Sequence, residues 1–439
     1  MKRLSISLGL ALLLAVSAGA QNPIIRDQFT ADPTARVFEG RVYMYPSHDI
    51  ISPVEPERKW FSMADYHVFS SADLMDWTDH GVILSQENVP WGKPDGYSMR
   101  APDCVYKDGK YYFYYPDAPE AGRGFAVGVA TSTSPSGPFV PEKESIKGVM
   151  GIDPCVLIDK DGVAYLYWSG MGLQVARLKD NMLELDGQPH RLDGNLPGGF
   201  KEGPFAFERD GRYYLTYPWV QDKTETLAYA MSDNPMGPFE FKGLIMQQSP
   251  VGCWTNHHSL VEYQGQWYLF YHHNDYSPQF DKNRSARIDK VIFNADGTIQ
   301  PVTPTFRGVG VSPARKRIDL DRYSALYPVA ASIDFLDPAE PFAGWFVRLE
   351  RPSVWVRYAD VDFTEVSPAS VRMRVRSKDG GKLSICIAED PAFVEVAVPR
   401  CMDWTEVNAP LGKAVTGLQT LTTTLEDGGV IDIDWIVFE

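Results

Sequence analysis

Apolar and polar residues alternate with a period of two in many short runs of this chain, and five of these runs share one arrangement. In each, a polar residue and a glycine precede a strand rich in aromatic side chains, as in Asp108-Gly109 followed by KYYFYY. A polar residue and a glycine ahead of alternating aromatic residues are typical of a β-hairpin. The glycines of the five runs are Gly40, Gly109, Gly162, Gly211 and Gly265.

The spacing of these glycines indicates a repeat architecture. They lie 69, 53, 49 and 54 positions apart. A period near fifty residues is typical of a β-propeller, in which each blade is a four-stranded sheet. Almost no long stretch between residues 22 and 310 has the period of an α-helix. The sequence therefore predicts an all-β protein, with a five-bladed β-propeller over residues 21–310.

The pattern changes after the fifth repeat. Residues 311–330 show no repeat, and we expect them to form a linker. Residues 331–439 contain short alternating segments separated by turns, which is typical of a β-sandwich, here of jelly-roll-like form.

The first residues of the chain predict an export signal. Lys2 and Arg3 precede an apolar run that is too short to span a bilayer, and Ala18-Gly19-Ala20 has the small residues of a cleavage site. We therefore expect residues 1–20 to be a signal peptide and the protein to be periplasmic or extracellular. No other stretch is apolar enough to predict a membrane span.

Composition narrows the class of partner. The net charge of −15 argues against nucleic acid, because phosphate binding needs a basic surface. Aromatic residues make up 13% of the chain, which suits both β-strands and the stacking of rings on sugar faces. We expect a carbohydrate partner, a monomer, and no organic cofactor.

The residues ahead of the repeated glycines carry the candidate chemistry. The repeats contain Asp32 before a proline, Asp153 before a proline, Glu202 before Gly-Pro, and His257 in an Asn-His-His run. The first strand of each blade lines the axis of a propeller, so equivalent positions converge at one mouth of the channel. The repeat therefore predicts that these four side chains meet in space.

Such a cluster suits either metal binding or acid–base catalysis. Neighbouring carboxylates shift each other's pKa values, so that one can stay protonated while another is ionised. Hydrolysis of a glycosidic bond needs this division between an acid and a base. In inverting enzymes the two carboxyl groups stand roughly 6.5–9.5 Å apart, which leaves room for the attacking water.

Five segments in order resemble glycoside hydrolase family 43. They are NPIIRDQFTADPT (22–34), YSMRAPDCVYKDGKYYFYY (97–115), GIDPCVLIDKDGVAYLYW (151–168), KEGPFAFERDGRYYLTY (201–217) and NHHSLVEYQGQWYLFYHH (256–273). The resemblance implies a five-bladed propeller, with Asp32 as general base, Asp153 as the residue that tunes and orients the acid, and Glu202 as general acid. It also implies that His257 approaches an axial ion, often calcium, through water, and that Arg284 contacts substrate near the acid.

Other side chains are candidates for sugar contacts. Trp91 lies in an insertion between the first two blades, and Trp254 precedes the histidine pair, so we expect both to be platforms for sugar rings. His48 and Asp49 end the first repeated strand and could reach a substrate hydroxyl. Asp103, close to Arg100, is interpreted as structural.

The C-terminal region resembles carbohydrate-binding module family 6 through WVRYADVDF (355–363) and IDIDWIVF (431–438). It departs from that family at Asp432, where an Asn usually contacts sugar, and near Trp404, where a second clamping aromatic residue is not evident. We therefore expect this region to pack against the propeller rather than to bind sugar independently.

The leading hypothesis is an inverting, exo-acting glycosidase. The resemblance implies terminal pentosyl residues of plant saccharides, as for a β-xylosidase or an α-L-arabinofuranosidase. Three alternatives stay open: cleavage of galactan or galactofuranosides on the same fold, a catalytically silent sugar-binding propeller, and a retaining enzyme of the related fructosidase kind.

Overall fold

The computed structural model describes residues 21–52, 60–364, 368–387 and 390–439, and the predicted signal peptide lies outside them. The described chain is built of strands, with three short 3-10 helices at Gln86–Asn88, Asp193–Asn195 and Pro341–Ala343. Across these ranges no helix has the length and apolar character that crossing a bilayer requires. The fold is all-β, as predicted.

Five antiparallel sheets follow one another along the chain. The first two are β1 to β4 (Ala31–Phe38, Arg41–Ser47, Asp65–Ser71, Thr78–Ser85) and β5 to β8 (Asp103–Lys107, Lys110–Asp117, Ala126–Ser132, Val140–Pro141). The third and fourth are β9 to β12 (Ile152–Ile158, Ala164–Gly170, Gly172–Leu178, Leu185–Arg191) and β13 to β16 (Phe205–Arg209, Arg212–Val220, Glu225–Ser232, Glu240–Met246). The fifth contains β17 to β19 (His258–Tyr263, Gln266–His273, Ser285–Val291).

These sheets are the blades of a closed propeller. The first strand of each sheet contacts the first strand of the next, in the order β1, β5, β9, β13 and β17, and β17 contacts β1 again. The fifth sheet has three strands, and its free edge is covered by the segment before β1. There the Ile24 N–H donates to the Ala286 carbonyl and the Thr30 N–H donates to the Arg284 carbonyl, both at 2.9 Å.

Repeated sequence elements make repeated contacts between blades. Tyr45 of the first blade donates its hydroxyl to the Pro135 carbonyl of the second, and Tyr167 of the third donates to the Pro235 carbonyl of the fourth, both at 2.6 Å. Pro135 and Pro235 belong to the two similar Ser/Pro/Gly turns that follow the third strands of their blades. The buried tyrosines thus satisfy their polar ends while their rings fill the space between sheets.

The C-terminal strands form a two-sheet sandwich around one apolar core. One sheet contains β20, β22, β25, β27, β28 and β30 (Ser312–Pro313, Ala325–Leu326, Trp355–Asp362, Gly381–Ile387, Asp390–Val398, Leu418–Gly428). The other contains β21, β23, β24, β26, β29 and β31 (Ile318–Asp319, Ala331–Phe335, Trp345–Leu349, Ser370–Ser377, Cys401–Pro410, Ile431–Phe438). The segment for which we predicted a linker, 311–330, therefore contributes three two-residue strands to these sheets.

The sandwich packs directly on the propeller. The buried Arg322 donates through one guanidinium nitrogen to the Asn22 carbonyl and through another to the Tyr276 hydroxyl, the latter at 3.1 Å. Tyr276 stacks on Trp345 with ring centroids 4.7 Å apart, and the guanidinium carbon of Arg322 lies 4.6 Å from the centre of the same ring. Arg322 therefore joins the sandwich to the N-terminal segment that covers the edge of the fifth propeller blade.

Replacing Arg322 with Met should lower the free energy of unfolding by about 3 kcal/mol, because it leaves buried oxygen atoms without their charged donor. The measurement is chemical denaturation followed by circular dichroism. Arg357→Met is the matched control, since Arg357 is exposed and lies 4.9 Å over the ring of Trp355 within the sandwich. Equal losses in the two variants would contradict a joining role for Arg322.

Candidate active site

Asp32 and Asp153 occupy equivalent irregularities at the heads of their blades. The register between β1 and β2 shifts between Ala31 and Thr34, and the register between β9 and β10 shifts at the corresponding place. Both aspartates have left-handed backbones, with φ of 46° for Asp32 and 57° for Asp153. The proline after each has no N–H to donate, so a bulge forms there at little cost. A left-handed aspartate at a bulge is typical of a strained functional position.

The fourth blade varies this pattern in an informative way. Gly203 precedes a proline, as Asp32 and Asp153 do, and has φ of 63°. The glycine therefore takes the left-handed position, and the carboxyl group of this blade moves one residue back, to Glu202. The Gly203 N–H donates to Oδ2 of Asp153 and to Oγ of Ser169, both at 3.0 Å. Asp153 thus holds the backbone next to Glu202.

Gly203→Ala should reduce kcat by about 100-fold, because it displaces the carboxyl group of Glu202, the expected general acid. A Cβ at this position would lie 2.9 Å from Nδ1 of His257 and 3.0 Å from Cγ of Pro218, so the backbone beside Glu202 must move. The control is Gly211→Ala in the same blade, where φ is 79° and no atom lies within 4 Å of the new Cβ.

Both alanines should lose about 1–2 kcal/mol of unfolding free energy from the left-handed backbone. Gly211→Ala should keep the kcat of the unmodified enzyme. Two quantities are measured for each variant: kcat for activity and the midpoint of urea denaturation for stability. A normal kcat for Gly203→Ala would show that the position of Glu202 does not depend on this glycine.

Asp32 is buried within a set of hydrogen bonds that favour its charged form. Its carboxylate accepts hydrogen bonds from Nη1 and Nη2 of Arg284 at 2.7 and 3.2 Å and from the Ser47 hydroxyl at 2.8 Å. Its backbone N–H donates to Nδ1 of His272 at 3.0 Å, so the proton of this imidazole is on Nε2, which faces the Thr255 hydroxyl at 2.9 Å. Burial keeps the pKa of His272 well below its usual value. A neutral imidazole and a guanidinium therefore flank the aspartate.

Arg284 is fixed by a second carboxylate. Asp49 accepts the Arg284 backbone N–H at 2.8 Å and Nε and Nη2 of its side chain at 2.9 Å each. Both side chains are almost fully buried. Asp49 therefore positions the arginine, and Arg284 also binds Asp32; contact of either residue with substrate stays a prediction.

The carboxyl groups of the site differ in their charge state. Burial alone would raise the pKa of Asp32, but the charge of Arg284, together with the neighbouring histidines and the Ser47 hydroxyl, outweighs it, and the pKa lies well below the usual value. Burial and the charges of Glu202 and Asp32 raise the pKa of Asp153 well above its usual value. Burial and the charge of Asp32 also raise the pKa of Glu202, against the effect of Lys201. One carboxylate is therefore ionised beside two that favour the protonated form.

Two residues of this site were not predicted as site residues from the sequence. Glu225 begins β15 and accepts the Asn256 N–H at 2.8 Å, and its pKa lies well above the usual value because of burial and the charge of Glu202. Arg100 lies between the rings of Phe61 and Phe125, within the field of Asp153 and Glu202. Glu225 lies outside the repeated positions, so the repeat gave no signal for it. Arg100 stands two residues before Pro102, as Glu202 stands two residues before Pro204, so the repeat placed Arg100 at the mouth of the channel although its role was not predicted.

The sequence suggested that Arg100 pairs with Asp103, but Asp103 has other partners. Asp103 accepts two bonds from Arg36, at 3.0 and 2.6 Å, and the Val156 N–H at 2.7 Å. These contacts join the first three blades, which agrees with the structural interpretation of Asp103.

Ser47 and Ser169 could have been found from the sequence. Ser47 is paired with Ala31, and Ser169 with Ile152, so each serine lies at or next to the end of the second strand, beside the bulge of its own blade. Applying the repeat to second strands as well as first strands would have placed both hydroxyls at the site.

His257 lies close enough to Asp32 for the two side chains to influence each other's pKa, and calcium at this position remains a prediction. Its imidazole is buried, and its pKa is lowered by burial in spite of the charge of Asp32. The adjacent Asn256 has a buried side-chain oxygen without a protein partner among the described residues, as has Glu225. Calcium prefers oxygen ligands, so these residues fit an ion held through water better than one bound directly to the imidazole.

The predicted sugar platforms differ in their surroundings. Trp91 stacks on Tyr115, with ring centroids 5.9 Å apart, and is partly buried. Trp254 has the ammonium groups of Lys201 and Lys282 at 5.3 and 5.6 Å from its ring centre. Because Lys201 precedes Glu202, Trp254 is the tryptophan that lies beside the carboxyl groups. His48 faces Asp65 of the first blade, with its Nδ1 2.7 Å from Oδ1.

A five-bladed propeller that combines an ionised carboxylate with carboxyl groups of raised pKa has the apparatus of a glycoside hydrolase. The sequence model of the family "Glycosyl hydrolases family 43" matches residues 20–299 of this chain. The chain belongs to this family.

Similar proteins agree with this assignment. Xylosidase/arabinosidase 43A of Humicola insolens is 37% identical over 333 residues, which cover 64% of this chain and 99% of that protein. The crystal structure of CoXyl43, a GH43 β-xylosidase/α-arabinofuranosidase from a compost microbial metagenome in complex with xylotriose, is 37% identical with a TM-score of 0.59, over 65% of this chain and 98% of that one.

A structure of similar length supports the fold of the whole chain. The arabinoxylan arabinofuranohydrolase from Bacillus subtilis, solved with cellotetraose, aligns with a TM-score of 0.57 over 97% of this chain and 99% of its own. At 24% identity this match bears on the fold alone.

Proposed function

We propose that the protein is an inverting exo-glycosidase that removes terminal pentosyl residues from plant oligosaccharides and polysaccharides. The observation that carries the proposal is the contrast between Asp32 and Glu202. Arg284 keeps Asp32 ionised, while burial favours the protonated form of Glu202. A base and an acid are thereby ready at the same pH, as a single displacement by water requires.

In the proposed reaction, Asp32 accepts a proton from water as the water oxygen bonds to the anomeric carbon. Glu202 donates its proton to the glycosidic oxygen as the bond from that oxygen to the anomeric carbon breaks. The products are a free sugar of inverted configuration and a shortened alcohol, and the two carboxyl groups have exchanged protonation states. Solvent restores the starting state.

Asp153 acts on the acid rather than on the substrate in this proposal. Its Oδ2 accepts the Gly203 N–H, so it orients the peptide that carries Glu202. Its charge would also raise the pKa of Glu202 whenever Asp153 ionises, because like charges disfavour joint ionisation. These two effects support the role of orienting and tuning that the family resemblance implies.

The choice of a pentosyl substrate rests on the relatives. The Humicola insolens protein is named a xylosidase and arabinosidase, and CoXyl43 is named a β-xylosidase and α-arabinofuranosidase. Aryl xylosides and arabinofuranosides should therefore be hydrolysed faster than galactosides or galactofuranosides. A screen of these four aryl glycosides tests the substrate class, and a preference for the galacto-configured pair would overturn it.

The stereochemistry of the product tests the mechanism separately. Proton NMR of the first-formed sugar, recorded before mutarotation, should show the anomer opposite to that of the substrate. Retention would exclude Asp32 as a base for water and indicate a covalent intermediate. Binding of xylo-oligosaccharide without turnover would favour the silent sugar-binding propeller.

A further inference from the structure

A second group of ligating side chains lies on the first blade, apart from the carboxyl groups of the active site. His48 follows β2, and Asp65 and His67 lie two residues apart on β3, so their side chains share one face of the sheet. One ligand atom from each of the three lies within 4.8 Å of those of the other two. Among the described residues, no other three His, Cys, Asp or Glu side chains have ligand atoms this close together.

We propose that His48, Asp65 and His67 bind a zinc ion. Nδ1 of His48 lies 2.7 Å from Oδ1 of Asp65, and Nε2 of His67 lies 4.0 Å from the same oxygen. Ligands on a tetrahedral zinc ion with bonds near 2.1 Å are roughly 3.4 Å apart. The two distances lie on either side of this value, so small rotations of the side chains would complete the site, with zinc replacing the proton that Nδ1 of His48 donates to Asp65.

A fourth residue orients one of the ligands. Both carboxylate oxygens of Asp79 face Nδ1 of His67, at 3.1 and 3.0 Å. This contact places the ring proton on Nδ1 and leaves the lone pair of Nε2 directed to Asp65. Gln28 donates to Oδ2 of Asp79 at 3.0 Å and supports the carboxylate in turn. A carboxylate behind a ligating histidine is typical of protein zinc sites.

The donor set and the exposure fit zinc better than calcium. Two imidazole nitrogens and one carboxylate oxygen are borderline ligands, which zinc accepts, whereas calcium takes six to eight oxygen atoms. The three ligand side chains are 16–22% exposed, so an ion can enter and water can fill the fourth position. The site is therefore distinct in chemistry from any calcium site at the axis near His257.

Zinc at this position would connect the end of β2 to β3. His48 precedes Asp49, the residue that fixes Arg284 beside Asp32. We expect the ion to stabilise the folded protein, because it binds the assembled ligands and not the unfolded chain.

The experiment is zinc titration of the full chain, freed of any affinity tag and of metal, by isothermal calorimetry in excess calcium. We expect one zinc ion per chain and a higher unfolding temperature with zinc. His67→Ala should abolish both effects, and Asp79→Asn should weaken binding by about 10- to 100-fold, since the ligands remain but their orientation is lost.

His190→Ala is the matched control, because His190 is exposed on the third blade, and it should bind zinc as the unmodified protein does. Circular dichroism verifies that each variant is folded, and Asp65→Asn provides a second ligand variant if His67→Ala is not. Absence of binding at about 100 µM free zinc, or unchanged binding by the ligand variants, would overturn the proposal.

Discussion

Glu202→Gln should lower kcat on xylobiose by about 1,000-fold while lowering it by about tenfold or less on para-nitrophenyl xyloside. The amide has nearly the shape of the protonated acid but cannot transfer a proton to a poor leaving group. A nitrophenolate leaves without that proton, so the loss on the aryl substrate is small. The basic limb of the pH profile of kcat/KM should also disappear, because the group that must stay protonated is gone.

The control for this variant is Glu240→Gln, the same substitution at an exposed position of the same blade. It should match the unmodified enzyme on both substrates. Equal losses for Glu202→Gln on the two substrates would argue against Glu202 as the acid and would point to a role in binding or folding.

Arg284→Met should lower kcat/KM by about 100-fold and move the acid limb of its pH profile to higher pH. Arg284 is the main opposing charge to the burial that raises the pKa of Asp32. Without it, the base is protonated at a higher pH, so activity is lost earlier as the pH falls. Because Arg284 also lowers the pKa of Glu202, the basic limb should move in the same direction.

Two further measurements separate charge from packing in this prediction. The free energy of unfolding of Arg284→Met should fall by about 3–5 kcal/mol, since Asp32 and Asp49 lose their shared partner. Arg284→Lys keeps the charge but cannot form the same paired bonds, so its acid limb should stay near that of the unmodified enzyme while kcat falls. An acid limb that is unchanged in both variants would show that Arg284 does not set the ionisation of Asp32.

The fold was predictable from local signals that recur. Each hairpin glycine and its aromatic strand mark one blade, and five copies require a ring of five. The edge of the fifth blade was not predictable in this way, because residues 22–30 reach it across the whole length of the propeller. The two-residue strands between 312 and 326 were missed because a period of two cannot be recognised in so few residues.

The candidate site likewise contains residues that the repeat predicts and residues that only the folded chain brings together. Asp32 and Asp153 share a position in the repeat, Glu202 stands one residue before it, and a repeat carries residues to equivalent places around an axis. Glu225 reaches the site from outside the repeated segments, so only the folded chain brings it there. Asp49 was found as a residue of the site, but its contact with Arg284 depends on a loop more than 200 positions away in sequence.

Closure of the ring by its own N-terminal segment has a consequence for synthesis. Asp32 emerges from the ribosome early, whereas Arg284 and the strand that accepts residues 24 and 30 emerge some 250 residues later. A chain interrupted before Arg284 would retain Asp32, Asp153 and Glu202 but lack the cation that keeps Asp32 ionised. In the proposed mechanism, hydrolytic activity therefore requires that the first and last parts of the propeller have assembled.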